Sequence, residues 1–153
     1  MRLLELKIPP VITGLLVGGL MWLSARATPD LAFTLPARRF VAAVPALAGV
    51  VIATLAVISF RRVRTTVHPL HPENATALVT SGILGLTRNP MYLGLLLVLL
   101  GWAVYLANAL VFVFPVVYVP LMNHLQIIPE EKALTAKFGP AFGAYQSKVR
   151  RWL

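Results

Sequence analysis

The feature that most constrains this chain is an uncharged run of 21 residues, Phe40–Phe60, preceded by Arg38 and Arg39 and followed by Arg61 and Arg62. A helix needs about 20 mostly apolar residues to cross the hydrocarbon core of a bilayer. Every backbone polar group must be satisfied within such a segment, and a helix does this by itself. The run therefore predicts a transmembrane helix with an arginine pair at each headgroup region.

Three further segments have the length and composition of spans: Ile8–Ala25, Met91–Ala107 and Ala109–Ile128. The last two are separated only by Asn108, which predicts a tight helical hairpin. The chain is 58% hydrophobic and 12% charged, whereas soluble domains are about 45–50% apolar, and 153 residues form too small a core to bury the excess. We therefore predict one domain over residues 1–153, an all-α polytopic membrane protein with four transmembrane helices.

Glycines and prolines within the spans indicate how these helices pack and bend. Gly14, Gly18 and Gly19 suit close contact of the first span with a neighbouring helix. Pro115 and Pro120 predict a bend in the last span, because proline removes a backbone hydrogen-bond donor.

The distribution of basic residues predicts the orientation of the spans. With the N-terminus inside, eleven of the fourteen lysines and arginines lie on the inner side and three on the outer side. The inner set is Arg2, Lys7, Arg61, Arg62, Arg64, Arg88, Lys132, Lys137, Lys148, Arg150 and Arg151, and the outer set is Arg26, Arg38 and Arg39. Because cytoplasmic loops are enriched in lysine and arginine, we expect both termini, the loop of residues 61–90 and the tail of residues 129–153 in the cytoplasm of a prokaryote, at its inner membrane.

The net charge of +9 follows from this arrangement and favours anionic membrane lipids as partners. Binding of nucleic acid is the other function typical of a pI near 10.9, and we do not expect it, because the basic residues flank spans rather than form one patch. The basic N-terminus and its apolar run also resemble a secretory signal peptide, which we interpret instead as the first span.

Polar residues collect in the loop before the third predicted span, and this loop is long for a connection. His68, His71 and Glu73 could approach a metal ion, but they lack a fourth ligand and the chain contains no cysteine, so no metal site is predicted. Asn89 and Pro90 have the character of an N-cap and a first helical residue. Taken alone, these features are typical of a helix that starts at the headgroups.

The tail is predicted to form two amphipathic helices. Pro129 opens the first, Glu130 and Glu131 complement its dipole, and Gly139 ends it. The second is predicted to lie on the inner membrane surface. Its apolar face would comprise Phe142, Tyr145, Val149 and Trp152.

Two distant motifs, in this order, resemble a known superfamily. Residues 77–82 read Ala-Leu-Val-Thr-Ser-Gly, and residues 88–94 read Arg-Asn-Pro-Met-Tyr-Leu-Gly. After an apolar hairpin come Glu130-Glu131, Phe138-Gly139, Tyr145, Val149 and Arg151-Trp152. This order resembles the isoprenylcysteine carboxyl methyltransferases and phospholipid methyltransferases, whose pattern is LVTSGxYRxxRNPMYxG followed by an EE…FG…Y…V.RW ending.

The resemblance implies an integral membrane methyltransferase that converts S-adenosyl-L-methionine to S-adenosyl-L-homocysteine and methylates a lipophilic acceptor on oxygen, nitrogen or sulfur. By position in the motifs, contacts to the cofactor would fall on His68, Thr76, Ala77, Leu78, Val79, Leu84, Asn89, Pro90, Met91, Tyr92 and Glu130. Glu130 would pair with the α-ammonium group. Arg88 and Glu131 would orient or deprotonate the acceptor, and His124 and Gln126 would contact it.

Three positions depart from the superfamily pattern. Leu84 stands where tyrosine is usual, and Gly85 stands where arginine or lysine is common. Gln126 occupies the position at which carboxyl-methylating members have an arginine that holds the substrate. Glutamine cannot form the charged fork of an arginine with a carboxylate. We therefore expect the acceptor to be something other than a prenylcysteine carboxylate.

Two other functions fit a chain of this architecture. One is a membrane scaffold or small transporter without catalysis, although a transporter should carry ionisable residues at mid-bilayer depth and the four predicted spans carry none there. The other is a membrane reductase with a nicotinamide cofactor. For the reductase, the sequence offers only generic arginines as partners of a 2′-phosphate.

Overall fold

A computed structural model describes residues 8–63 and 76–153. Its helices are α1 (Pro10–Ala27), α2 (Arg38–Arg62), α3 (Pro90–Leu106), α4 (Val113–Met122), α5 (Ile128–Phe138) and α6 (Pro140–Lys148). Short 3₁₀ turns lie at Pro29–Leu31, Gly82–Gly85 and Ala109–Phe112. The predicted all-α fold is confirmed. The candidate ligands His68, His71 and Glu73 lie outside the described residues.

Four apolar helical segments correspond to the predicted spans. Helices α1 and α2 and the continuous helical stretch Ala109–Phe138 are long and apolar enough to cross a bilayer. Helix α3 is apolar throughout and has 17 residues, or about 26 Å at 1.5 Å per residue, close to the hydrocarbon thickness. The fold is therefore that of a polytopic membrane protein.

The connections between α1 and α2 and between α3 and α4 meet at one end of the helices, which we call the hairpin end (residues 28–37 and 107–112). Asn108 Nδ2 donates to the carbonyl of Thr28 at 2.7 Å, and the amide of Phe33 donates to the carbonyl of Ala107 at 2.9 Å. Ala107 has a positive φ of 49°, which closes the predicted tight turn at Asn108. The start of α3 and the C-terminal helices lie at the opposite end, the site end.

Close packing joins α2 to α3 through glycines that the sequence analysis did not single out. A Cβ atom on Gly94 would lie 2.6 Å from the carbonyl oxygen of Gly49, and one on Gly101 would lie 2.7 Å from that of Ala42. The two backbones therefore touch. Of the glycines predicted to pack closely in the first span, Gly14 and Gly18 make only ordinary contact distances with α3 and Gly19 faces open space.

The last span departs from regular α-helical geometry in the region where the sequence predicts a bend. Pro120 lies inside α4, and a π-helical turn, Asn123–Ile127, follows directly. Helix α5 continues from this turn, so Pro129 does not open a separate helix as predicted. Glu130 and Glu131 therefore do not cap a free helix terminus, and their placement needs another explanation.

The second tail helix is shorter than predicted. Helix α6 ends at Lys148, because the chain is extended at Val149, and Trp152 is not on its face. Phe142, Tyr145 and Val149 are buried together against residues of the same chain rather than left open to a membrane surface. Trp152 instead packs against the main core and donates from Nε1 to Asn123 Oδ1 at 3.0 Å. The predicted single apolar face is thus wrong in its extent.

Candidate functional site

The start of α3 is held by the last residues of the chain. Asn89 is at the N-cap and Pro90 is the first helical residue, as predicted, but the Asn89 side chain does not cap the helix. Its Nδ2 donates to the carbonyl of Arg151 at 2.9 Å. The amide of Arg88 donates to the carbonyl of Arg150 at 3.0 Å. The Arg-Asn-Pro motif is therefore a docking point for the C-terminal segment.

Glu131 lies at the centre of an ion-pair network. Its Oε1 accepts from Arg88 Nη2 at 2.9 Å, and its Oε2 accepts from Arg151 Nη2 at 2.6 Å. The other terminal nitrogen of Arg88 donates to the carbonyls of Gln146 and Val149. Both charges of the Arg88–Glu131 pair are nearly buried, with side-chain exposures of 12% and 13%. This network joins α3, α5 and the C-terminal segment, which places Arg88 and Glu131 in a structural bridge.

Glu130 has different surroundings, although it is the adjacent residue. Its Oε2 accepts a hydrogen bond from the Tyr92 hydroxyl at 2.9 Å. Within residues 8–63 and 76–153, no arginine, lysine or histidine forms an ion pair with it. A partly buried carboxylate without a cation carries a desolvation cost, so the position is suited to a positively charged ligand group.

The ionisation of Glu130 reflects this lack of compensation. Glu130 is on α5, beyond the end of the last predicted span. Burial raises the pKa of Glu130 to about 7, although the Tyr92 hydrogen bond acts in the opposite direction, and the charge of Glu131 adds to the rise. The carboxyl group therefore titrates near neutral pH until a cation approaches it.

The segment before α3 supplies an apolar wall. Val79 and Leu84 are buried, and Leu78 packs against the α6 cluster. The Tyr145 hydroxyl donates to the carbonyl of Leu84 at 2.6 Å. Burial raises the pKa of Tyr145 to about 12. The phenol therefore stays protonated and continues to donate this hydrogen bond. Gly82 has a positive φ of 64°, which glycine adopts at little cost, and the chain turns there before Leu84.

Two residues predicted to contact the acceptor lie in different environments. Gln126 is fully buried in the π-turn, and its Nε2 donates to the carbonyl of Ile8 at 2.7 Å, just before α1. His124 is exposed. Gln126 Oε1 has no hydrogen-bond partner in the described part of the chain, and the same is true of the buried Tyr118 hydroxyl and Thr13 Oγ1.

Two members of this constellation were not predicted. Arg151 was assigned to the basic tail, and only the folded structure reveals it as a partner of Glu131. Tyr118 was treated as part of an apolar span, but a tyrosine near the middle of a span is a signal that could have been used, because its hydroxyl needs a partner away from the headgroups. Its side chain is fully buried.

The structure thus brings together Arg88, Asn89, Tyr92, Glu130 and Glu131 at the site end. Val79 and Leu84 belong to the neighbouring wall, together with the partly buried Ala77 and Leu78, and Thr76 at the start of this segment is exposed. Met91 is partly buried beside Tyr92. Across the ranges that the structure covers, no group of three or more histidine or acidic side chains could hold a metal ion. The arrangement can therefore recognise a cation through Glu130.

The fold and this constellation define a polytopic α-helical membrane protein with a polar site at one end of its helices. The phospholipid methyltransferase family matches residues 37–141, and the chain therefore belongs to that family. The match contains residues 77–82 and 88–94 and, from the ending, Glu130-Glu131 and Phe138-Gly139. It confirms the predicted superfamily. Membership makes the chain a methyltransferase of the membrane-lipid type.

One relative was found among curated proteins. An uncharacterized protein of Haemophilus influenzae is 44% identical over 63 residues, which are 41% of this chain and 100% of the relative. No solved structure matches the chain significantly.

Proposed function

We propose that this protein transfers a methyl group from S-adenosyl-L-methionine to a lipophilic acceptor that reaches the site from the bilayer. The observation that carries the proposal is the difference between two adjacent carboxylates. Glu131 is neutralised by two arginines, whereas Glu130 is held only by the Tyr92 hydroxyl and faces no cation of the described chain.

The residues at the site end fit this cofactor. Glu130 supplies the carboxylate that an α-ammonium group requires, and a charged hydrogen bond of this kind contributes about 1.5–3 kcal/mol net. Tyr92 fixes the position of that carboxylate. Leu78, Val79 and Leu84 supply apolar surface. When bound, the cofactor supplies a methyl group made electrophilic by its sulfonium.

An apolar wall also suits the reaction itself. Positive charge is dispersed when a methyl group leaves a sulfonium, so a dry, preorganised site opposes the reaction less than water does. The Tyr145 hydrogen bond to Leu84 holds the wall in place. Arg88 and Glu131 act in this proposal through position, because they hold the start of α3 and the C-terminal segment around Glu130. Their assignment to acceptor orientation or deprotonation stays a prediction.

The acceptor is proposed to be an uncharged amine, hydroxyl or thiol on a lipid. Gln126 has one buried amide oxygen without a partner in the described residues, and Tyr118 has a buried hydroxyl in the same condition. Such groups suit a neutral polar acceptor. A carboxylate would need a cation, and Arg88 of the network already bonds Glu131 and two carbonyls.

We also propose the predicted orientation, with the site end and both termini in the cytoplasm of a prokaryotic cell. The positive-inside asymmetry supports it. Anionic lipids of that leaflet would then attract the basic residues of the tail. Reporter fusions after Leu153 should give a cytoplasmic signal, and a periplasmic signal would overturn this orientation.

Calorimetry with S-adenosylhomocysteine tests the cofactor assignment in protein reconstituted in nanodiscs. Glu130→Gln should weaken binding about 10–100-fold, the equivalent of about 1.4–2.7 kcal/mol at 1.36 kcal/mol per decade. Asp30→Asn makes the same chemical change at the hairpin end and should leave binding unchanged. Absence of binding to the wild type would remove the cofactor assignment.

A second measurement addresses the acceptor. Radiolabelled methyl transfer from S-adenosylmethionine into total membrane lipid, followed by identification of the labelled species, should give a labelled lipid with wild-type protein and markedly less with Glu130→Gln. Ligand binding without any transfer into lipid would instead favour the non-catalytic scaffold.

A further inference from the structure

A second apolar feature lies between α1 and α2, away from the polar site. Both helices pack on α3, and the space that they leave over it forms a groove of about 700 Å³. Its lining includes Gly14, Gly18 and Trp22 of α1, Arg39 of α2, and Trp102 of α3. Pockets for small molecules have volumes of about 300–1,000 Å³, so the groove has the size of a ligand site.

The groove lies within the membrane-spanning part of the molecule. Along α3 it extends from Leu95 to Tyr105, or about 15 Å at 1.5 Å per residue, which is roughly one leaflet of hydrocarbon. All three lining helices are spans, so the groove opens to lipid chains rather than to water. In a bilayer it is therefore filled by a lipid chain or by another apolar helix.

Positive charge at the hairpin end favours a lipid over another apolar helix as the occupant. Arg39 lines the groove and has no hydrogen-bond or ion-pair partner among the described residues. Arg26 and Arg38 lie over the rings of Trp22 and Tyr105, at 5.1 and 5.6 Å from the ring centres. The groove thus combines an apolar channel with a cationic and aromatic rim.

We propose that the groove binds an anionic phospholipid from the leaflet at the hairpin end, with an acyl chain along α3 and the phosphate at Arg39. If a second copy of the chain filled the groove, its hairpin end would have to supply acidic residues to pair with the arginines of the rim. Residues 28–37 and 107–112 contain one acidic residue, Asp30. One carboxylate does not balance three arginines, whereas lipid headgroups do. The site is separate from Tyr92 and Glu130 and does not depend on methyl transfer.

Tryptophan fluorescence tests this proposal directly, because Trp22 and Trp102 line the groove and Trp152, the third tryptophan of the chain, lies at the site end. The Trp152→Phe variant reports on the groove alone. It is reconstituted with phosphatidylglycerol or with phosphatidylcholine that carry the same brominated chains, which quench indole on contact. The apparent affinity for the groove, measured from quenching, should be about fivefold higher for phosphatidylglycerol than for phosphatidylcholine. One arginine near the surface contributes roughly that factor to the binding of an anionic lipid.

Three variants make the test specific. Arg39→Gln should reduce the lipid preference to about one. Arg62→Gln, the matched change at the other end of α2, should leave it at about fivefold. Gly19→Leu should lower quenching by both lipids, because Gly19 lines the groove and a side chain there meets open space. If Trp152→Phe does not fold, the same comparison in wild-type background remains valid, since Trp152 contributes equally to each variant.

Several results would overturn the proposal. These are equal competition by the two lipids, a preference that survives Arg39→Gln, or quenching that Gly19→Leu does not change. Tryptophans shielded from both lipids, together with a dimer in native mass spectrometry, would assign the groove to a second copy of the chain.

Discussion

Glu131 and Glu130 are adjacent on α5, but their side chains have different partners. Around Glu131, two guanidinium groups contact the carboxylate at 2.6–2.9 Å, and Arg88 also bonds two carbonyls of the C-terminal region. Around Glu130, a single tyrosine hydroxyl donates and the carboxyl pKa rises to about 7. Among the residues that the structure describes, the first carboxylate has two cationic partners and the second has none.

The difference suits the two adjacent residues to different purposes: Glu131 to stability and Glu130 to ligand recognition. Because α5 continues from the π-turn, both carboxylates project from a rigid helix, and their roles follow from what packs against them. A compensated charge holds elements together. An uncompensated charge raises the free energy of the ligand-free protein, and binding of a cation removes that cost.

The largest expected effect concerns the compensated side. Glu131→Gln leaves Arg88 nearly buried without its counter-charge, and removal of one partner from such a pair costs about 3 kcal/mol. We expect the melting temperature, followed by circular dichroism in detergent, to fall by about 5–10 °C. The double variant Glu131→Gln with Arg88→Met should recover part of this loss, because it leaves no orphaned guanidinium at that position. An unchanged melting temperature in the single variant would mean that the network does not stabilise the fold.

A smaller effect is expected from the uncompensated side, and it depends on pH. The pKa of Glu130 is raised from 4.5 to about 7 by burial, so the folded protein binds this proton more tightly than the unfolded chain. The stabilisation is complete below pH 4.5 and is lost as pH rises through 7, with a fall on the order of 2 kcal/mol in the free energy of unfolding.

Melting curves at pH 5, 6, 7 and 8 in the absence of ligand measure this dependence. Glu130→Gln should flatten the curve between pH 5 and 8, and Asp30→Asn should not. Addition of S-adenosylhomocysteine should also flatten it, because a bound ammonium favours the ionised carboxylate. The same slope in wild type and Glu130→Gln would show that another group is responsible.

The smallest expected effect tests whether the contact of α6 with the apolar wall supports ligand binding. Tyr145 donates to the carbonyl of Leu84 in the apolar wall, and its Phe variant loses one hydrogen bond worth about 1 kcal/mol. We expect a drop of about 2–4 °C in melting temperature and weaker binding of S-adenosylhomocysteine. Ser147→Ala removes an exposed hydroxyl from the same helix and serves as the control. A Tyr145→Phe variant with unaltered ligand binding would show that the wall is independent of α6.

Much of the fold could be predicted from the sequence because membrane insertion depends on local composition. The bounds of α1, α2 and α3 lie within two residues of the predicted spans. The turn at Asn108, the start of α3 at Pro90 and the end of α5 at Gly139 were also predicted correctly. Each depends on backbone hydrogen bonds that a short stretch of residues provides or prevents, so no distant contact is needed to infer it.

The candidate site was predicted only as a set of residues. Family motifs brought Arg88, Tyr92, Glu130 and Glu131 into one hypothesis and gave the two glutamates different ligand roles, but the local sequence explained both only as complements of a helix dipole. Their separation into a bridged and an unbridged carboxylate depends on Arg151, which is 20 residues away along the chain. The length of α6 was wrong because the predicted helical period continued through Val149, where hydrogen bonds from Arg88 to the carbonyls of Val149 and Arg150 favour an extended chain.

Four apolar membrane-spanning helices could be inferred from the residues alone, because burial of apolar surface and internal backbone hydrogen bonding are properties of each segment. The folded arrangement was needed to see which carboxylate has no cationic partner within residues 8–63 and 76–153, and where a groove lined by Arg39 opens. Those properties depend on distances between residues far apart in sequence, because the Coulomb energy of two charges falls as the distance between them grows.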